Sequence, residues 1–258
     1  MAIDLHDYEA GEKYRGHYTH DLGKLQRRLE HVLVAHIVHH RAAVVMFEGW
    51  DAAGKGGIIE RLTAKWDQRN YEVYPIGVPT PEEKAHDFLW RFETRLPEPG
   101  NIAVFDRSWY GRVLVERVEH LATRAEWQAS YAAINAFEAA LIESGITLVK
   151  LFVHISQAEQ DKRLEARLDD PWKRWKTGLD DYRNRARRSA YLEAMHDMFE
   201  RTDTQIAPWK AIDGNDKKAA RIAALGYVAD RLAADVPMTP PPLDPELKKV
   251  ARVALGLE

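Results

Sequence analysis

Ala42-Ala43-Val44-Val45-Met46-Phe47-Glu48-Gly49-Trp50-Asp51-Ala52-Ala53-Gly54-Lys55-Gly56-Gly57-Ile58-Ile59-Glu60-Arg61-Leu62 is the stretch on which the reading of this chain turns. Its short continuous apolar run predicts a buried parallel strand, the glycines with a lysine predict a turn, and the apolar residues that follow return at helical spacing. Strand, glycine-rich turn and helix in that order make a phosphate-binding loop, with Gly49, Gly54 and Lys55 at the spacing such loops need. Glycines let backbone N–H groups turn toward phosphate oxygens, the new helix presents its positive end, and Lys55 adds a mobile cation. Gly56 stands where nucleotide-binding loops carry the Ser or Thr whose hydroxyl holds Mg²⁺, so a metal here needs another ligand. Asp51 lies inside the loop, where a carboxylate repels phosphate unless a cation lies between them, and this points to Mg²⁺ bridging Asp51 and phosphate oxygens.

Outward from the loop, helices and strands alternate. Leu22, Leu25, Leu29, Val32, Leu33, Ile37 and Val38 recur at helical spacing and predict an amphipathic helix over about 21–40. His31, His36, His39 and His40 gather near its end, but no carboxylate or cysteine joins them at zinc-like spacing, and adjacent histidines cannot share one helix face. After the loop, Tyr71–Val78 predicts a strand, 82–96 a helix closed by Pro97, Pro99 and Gly100, and Ile102–Phe105 a strand that delivers Asp106 and Arg107 at its carboxyl end. A long helix over about 124–144 feeds the strand Thr147–Val153. A last strand, Trp209–Asp213, precedes the Gly214-Asn215-Asp216 loop and a helix to about Asp235. The expected fold class is α/β: a three-layer α/β/α arrangement around a mostly parallel five-stranded sheet.

The 258 residues, 45% hydrophobic and 30% charged, suffice for one α/β domain with a substantial core. Within it, residues 1–20 read as an amino-terminal arm, 160–200 as a lid region, and 237–258 as a proline-rich connector with a short amphipathic helix that packs on this subunit or on a neighbour. A net charge of -3 carries no overall basic field, so nucleic acid is not an expected partner and any anion site is local. The lack of cysteine excludes disulfides and thiol chemistry and fits a cytoplasmic location. No apolar run reaches membrane-spanning length, and Met1-Ala2-Ile3-Asp4-Leu5-His6-Asp7 lacks the regions of a signal peptide; no membrane partner is expected.

Two further charged groups belong with the loop. Asp106 is placed as a phosphate-loop enzyme places its second metal carboxylate, and Arg107 follows it directly. Between Asp161 and Arg188 stand ten Lys or Arg against six Asp or Glu, interrupted by Pro171 and Gly178. This reads as a basic helical lid that closes over an anion, with Arg163, Arg183, Arg187 and Arg188 as candidate walls of the channel that holds it. Trp172 and Trp175 interleave with its bases, and their spacing of three places them on one helical face, which favours packing over nucleic-acid stacking.

The loop Gly49-Trp-Asp-Ala-Ala-Gly-Lys-Gly-Gly57, the strand end Phe105-Asp-Arg-Ser-Trp-Tyr-Gly-Arg112, the lid Asp170-Pro-Trp-Lys-Arg-Trp-Lys176 and the stretch Thr202–Trp209 together resemble the polyphosphate kinase 2 family over roughly residues 20–235. The resemblance implies a P-loop kinase fold related in plan to thymidylate kinase, and Mg²⁺-dependent phosphoryl transfer, with Mn²⁺ as a substitute, between inorganic polyphosphate and an adenine or guanine nucleotide. It implies Asp51 and Asp106 as metal ligands and Lys55 and Arg107 as phosphate contacts. Arg167, Lys173, Arg174 and Lys176 would belong to the lid. Gly49, Ala52, Ala53, Gly54, Gly56, Gly57 and Arg112 fall at the family's substrate-binding motif positions, and Gly56 is no departure from this family. A homo-oligomer is expected. The wording around Glu48–Asp51 and Phe105–Arg112 looks closest to forms that use AMP. Two other readings stay open: an ATP-dependent kinase of a nucleotide or other small molecule, and a non-catalytic P-loop module that binds anions or nucleic acid.

Overall fold

The computed structural model describes residues 3–257; Met1 and Ala2, where the amino-terminal reading begins, and Glu258 lie outside it. Among the described residues five strands form one sheet: β1 (Ala43–Gly49), β2 (Tyr71–Pro75), β3 (Ile102–Asp106), β4 (Thr147–His154) and β5 (Trp209–Asp213), in the spatial order β2-β3-β1-β4-β5. Every pairing is parallel, so the sheet expected to be mostly parallel is wholly so. The described helices are α1 (Tyr18–Val38), α2 (Lys55–Leu62), α3 (Pro81–Lys84), α4 (Trp90–Glu93), α5 (Val115–Val118), α6 (Arg124–Glu143), α7 (Gln157–Asp169), α8 (Leu179–Ala186), α9 (Arg188–Thr202), α10 (Lys217–Ala234) and α11 (Pro245–Ala254). No described helix is long and apolar enough to cross a membrane.

Burial on both faces is what permits continuous apolar strands. All eight residues of β4 are buried, with α10 packed on it in company with α1 and α2, and α6 packed on it in company with α5 and α9. In the centre, β1 lies between β3 and β4, so the carboxyl ends of three strands open on one edge of the sheet, where α/β folds place their ligands. Gly49 marks the close approach of β1 and β4: with φ +134, a Cβ there would lie 2.1 Å from the Val153 carbonyl oxygen.

The structure departs from the sequence reading in two places. The helix expected over 82–96 is broken into α3 and α4. Glu83, buried, completes a capping box with Thr80 and also pairs with Arg91 and Arg95, and those arginines reach it only because the chain folds back at Ala85–Leu89. Trp172 and Trp175 do not pack on a helix face; they are 88% and 79% exposed. Asp170 leaves the helical region at the end of α7, Pro171 has no N–H to continue it, and only a short 3-10 turn, Arg174–Lys176, follows. In the carboxy-terminal helix α11, Leu247, Val250 and Val253 remain exposed. Near the end of α1, buried His36 sits between the carbonyls of Arg41 and Leu232, and His39 meets the carbonyl of Thr239.

Under the sheet lies one fully buried ion pair. Lys150 of β4 donates to Glu138 of α6 at 2.7 Å, to the Tyr110 hydroxyl at 3.0 Å and to the Thr202 carbonyl at 2.9 Å. Trp109 Nε1 and the Tyr110 hydroxyl both donate to the other Glu138 oxygen. Such a network holds because every polar group has a partner; removing one member strands the rest. Lys150→Met should therefore cost about 3–5 kcal/mol of stability in denaturant unfolding. Combining it with Glu138→Gln should recover part of that loss, and a double variant as unstable as the sum of both singles would deny the coupling.

Candidate active site

The phosphate loop joins β1 to α2 in the expected order. Gly54 serves as the N-cap of α2 with φ +108, a conformation in which a side chain would be strained. The amino terminus of α2, from Lys55 on, therefore points out of the sheet edge, where its free N–H groups and dipole favour an anion. Lys55 is buried, and its Nζ donates back to the carbonyls of Gly49 at 2.8 Å and Trp50 at 3.1 Å. Ala52 and Arg107 hold positive φ without being glycine. Such strain costs about 1–3 kcal/mol a residue and persists only where the surroundings impose it. At Arg107 they do: its N–H donates to the Phe47 carbonyl, and the next residue, Ser108, donates both N–H and hydroxyl to the buried Glu48 carboxylate at 2.7 and 2.8 Å. Burial pushes the Glu48 carboxyl above its ordinary range against those Ser108 bonds.

Over these strand ends lies an open cleft of about 1350 Å³. Of the residues singled out from sequence, Asp51, Ala52, Ala53, Gly54, Lys55, Gly56 and Gly57 form its floor, Asp106 and Arg107 one side, and Arg167, Lys173 and Lys176 the lid side. Gly49 lies behind the floor, against β4. Arg112 lies outside the cleft, its guanidinium 4.8 Å above the Phe88 ring and paired with Glu116 at 2.9 Å, its buried Nε without a partner among the described residues. Arg174 also lies outside, its Nε donating to the Leu168 carbonyl at 2.8 Å.

Asp51 is the electrostatic centre. Burial by itself would push its carboxyl up, but the charges of Arg107 and Lys55 and hydrogen bonds from Asn184 and Arg107 outweigh it and hold the group below its usual range. Arg107 Nη2 donates to Oδ1 at 2.6 Å, and Asn184 Nδ2 of α8 to Oδ2 at 2.9 Å. The Tyr191 hydroxyl in turn donates to Asn184 Oδ1 at 2.9 Å, which fixes the amide orientation. Asp181 also lines the cleft; burial, and the nearby charge of Asp51, push its carboxyl up. Asp51, Asp106 and Asp181 all line the cleft with hard carboxylate oxygens, the kind of donor that suits Mg²⁺. His196, Asp197 and Glu200 also gather on α9 outside this cleft, with Asp197 already paired to Arg117.

Asn184, Tyr191 and Asp181 were not singled out from sequence. Of the arginines assigned to channel walls, Arg163 lines the cleft and also braces the loop, whereas Arg188 is a brace outside the lining. Arg163 donates to the carbonyls of Ala52, Ala53, Gly214 and Asn215, and buried Arg188 donates to Gln160 and the Ile155 carbonyl with its guanidinium 4.0 Å over the Trp50 ring. Arg187 pairs with Glu119, and Arg183 with Asp180 on the exposed face of α8.

Comparison with known proteins places this geometry. A family profile described as Polyphosphate kinase 2 (PPK2) matches residues 12–239. The Polyphosphate:AMP phosphotransferase of Pseudomonas syringae pv. tomato is 45% identical over 215 residues, 83% of this chain and 43% of that protein. That of Acinetobacter johnsonii is 43% identical over 231 residues, 90% of this chain and 48% of that protein. The ADP-polyphosphate phosphotransferase of Pseudomonas aeruginosa is 37% identical over 241 residues, 92% of this chain and 79% of that protein. The chain thus spans less than half the length of the AMP-named relatives described here. The crystal structure of Polyphosphate Kinase 2 from Arthrobacter aurescens TC1 shares the fold with a TM-score of 0.87 at 36% identity, covering 98% of this chain and 91% of that one. With a profile spanning most of its length, and relatives and a solved structure that share both sequence and fold across it, the chain belongs to the polyphosphate kinase 2 family.

Proposed function

We propose that this chain transfers a phosphoryl group between inorganic polyphosphate and a nucleoside phosphate, with Mg²⁺ as its metal and AMP as the favoured acceptor. The observation that carries the reading is the phosphate loop with Gly56 in place of the hydroxyl and Asp51 held between Arg107 and Asn184 at the mouth of a cation-rich cleft. Three relatives at 41–45% identity are named polyphosphate:AMP phosphotransferases, which supports AMP, while others are named for ADP, NDP or GDP.

In this reading the backbone N–H groups of Gly54–Gly57 and Lys55 receive the terminal phosphate of the donor, and Arg107 takes the phosphoryl oxygens from the opposite side. Arg167, Lys173 and Lys176 neutralise the following phosphates from the lid. Asp51 and Asp106, with Asp181 nearby, would hold Mg²⁺, which would supply charge neutralisation to the phosphates. No general base is required, because a nucleotide phosphate with a second pKa of about 6 already offers an anionic oxygen at neutral pH. That oxygen forms the new P–O bond as the bond to the next phosphate breaks, and the shortened chain leaves as an anion. Positioning and charge neutralisation do the rest. Arg112, with an unpartnered buried Nε beside Phe88, is our candidate for an acceptor contact.

Asp106→Asn and Lys55→Ala should each lower turnover by about 10²–10³-fold or more, and Asp106→Asn should do so without lowering the thermal midpoint. A variant at near wild-type rate would remove that residue from the reaction. Lys173→Ala with Lys176→Ala should raise KM for polyphosphate most at low ionic strength and flatten its salt dependence; an unchanged salt response would return both lysines to the status of solvated side chains. The deciding assay supplies Mg²⁺ and long-chain polyphosphate with AMP, ADP, GMP or GDP. ADP formed from AMP supports the proposal. Transfer only from ATP, with polyphosphate inert, overturns the donor.

A further inference from the structure

We propose that Glu9, acting through His154, is a positioning residue of the phosphate loop, so that the amino-terminal arm sets how the loop receives phosphate. The inference rests on the loop being the donor-phosphate site.

The indole of Trp50, one residue before Asp51, is buried, and its Nε1 lies 2.9 Å from His154 Nδ1. An indole N–H can only donate. Nδ1 is therefore an acceptor, and the single proton of the neutral imidazole is on Nε2, which lies 2.9 Å from Glu9 Oε1. Because His154 is fully buried, burial lowers its pKa and favours this neutral form, against the opposing pull of Glu9. The three side chains form a relay of fixed direction: Trp50 donates to His154, and His154 donates to Glu9.

Both ends of the relay are tied to working parts. Glu9 belongs to an arm latched to the end of the sheet, where Gly11 N–H donates to Asp213 at 2.7 Å and Asn215 donates to the Tyr8 carbonyl at 3.2 Å. Lys13 and Tyr14 of the same arm line the cleft. At the other end, the Trp50 carbonyl accepts from Lys55 Nζ, and the indole is wedged between the Arg188 guanidinium and the edge of Tyr191, the residue that orients Asn184 toward Asp51. A displaced indole would thus shift Lys55, Asp51 and the lid contact together. Glu9 itself is partly exposed and bonds His154, while its charge also acts on Arg188 over the indole, so the two variants separate the hydrogen bond from the charge.

The test compares Glu9→Ala with Glu9→Gln, whose amide oxygen still accepts from His154 Nε2. Binding of inorganic tripolyphosphate is measured by calorimetry in the presence of Mg²⁺, alongside kcat, KM for each substrate and the thermal midpoint. Glu9→Ala should weaken tripolyphosphate binding at least about tenfold and raise KM for polyphosphate while leaving KM for the nucleotide unchanged. Glu9→Gln should restore both to within about twofold, since the hydrogen bond and not the charge holds the ring. Wild-type affinity in Glu9→Ala, or equal losses in both variants, would overturn the inference. So would losses that merely follow a falling thermal midpoint. A wild-type protein that binds tripolyphosphate but phosphorylates no nucleotide would defeat the proposed reaction, and the binding comparison would still decide the role of Glu9.

Discussion

One guanidinium carries much of the site. Arg163 of α7 donates to the carbonyls of Ala52 and Ala53 in the phosphate loop and to those of Gly214 and Asn215 after β5, while its Nε pairs with Glu159. A loop that must turn its N–H groups toward an anion has carbonyls pointing the other way, and buried carbonyls need donors. Arg163 is that donor, and its own charge places a cation beneath an anion-binding turn. Gln160, one helical turn earlier on α7, adds a bond to the Asp51 carbonyl, and Arg188 from α9 holds Gln160. The loop is thereby presented with its polarity fixed, the arrangement that makes electrostatic stabilisation of an anion effective.

The strain at Ala52 and Arg107 belongs to the same design. Both residues adopt backbone conformations that their side chains disfavour, and both flank Asp51 in space. The buried Glu48 carboxylate, by receiving Ser108, turns the chain at Arg107 so that its guanidinium reaches back across the cleft floor. Below it, Trp109 and Tyr110 are anchored to Glu138 and Lys150, so the three residues that follow Arg107 are all held.

Much of the fold and half of the site could be read from the chain because the informative residues are contiguous. The strands β1 and β3 are apolar up to the carboxylates near their ends, β4 is apolar apart from Thr147, Lys150 and His154, and the loop and strand-end motifs each lie within a dozen residues. Asn184 meets Asp51 across 133 positions, and Glu9 meets His154 across 145, so no local pattern announces either. Charge alone also says nothing of direction: Arg188 looks like a channel wall in a basic run, yet it is buried against Trp50 and bonded to Gln160, while Arg163 lines the cleft and still gives its donors to backbone carbonyls. The tryptophan pair misled because a spacing of three fits a helix, while the Asp170-Pro171 break that removes the helix lies just ahead of it. The fold-back at Ala85–Leu89 was hidden because the ion pairs of Glu83 that drive it are tertiary contacts.

The parallel sheet has a consequence for the order in which this site comes into being on a growing chain. Residues 49–57 emerge early, but the strand against which Gly49 packs comes a hundred residues later, Arg163 later still, and the carbonyls of Gly214 and Asn215 that share its guanidinium near the end of the core. Parallel pairing offers no hairpin by which the early strands could close on their own. A chain halted on the ribosome before Asn215 would carry the whole phosphate-loop sequence without the support that turns it toward an anion.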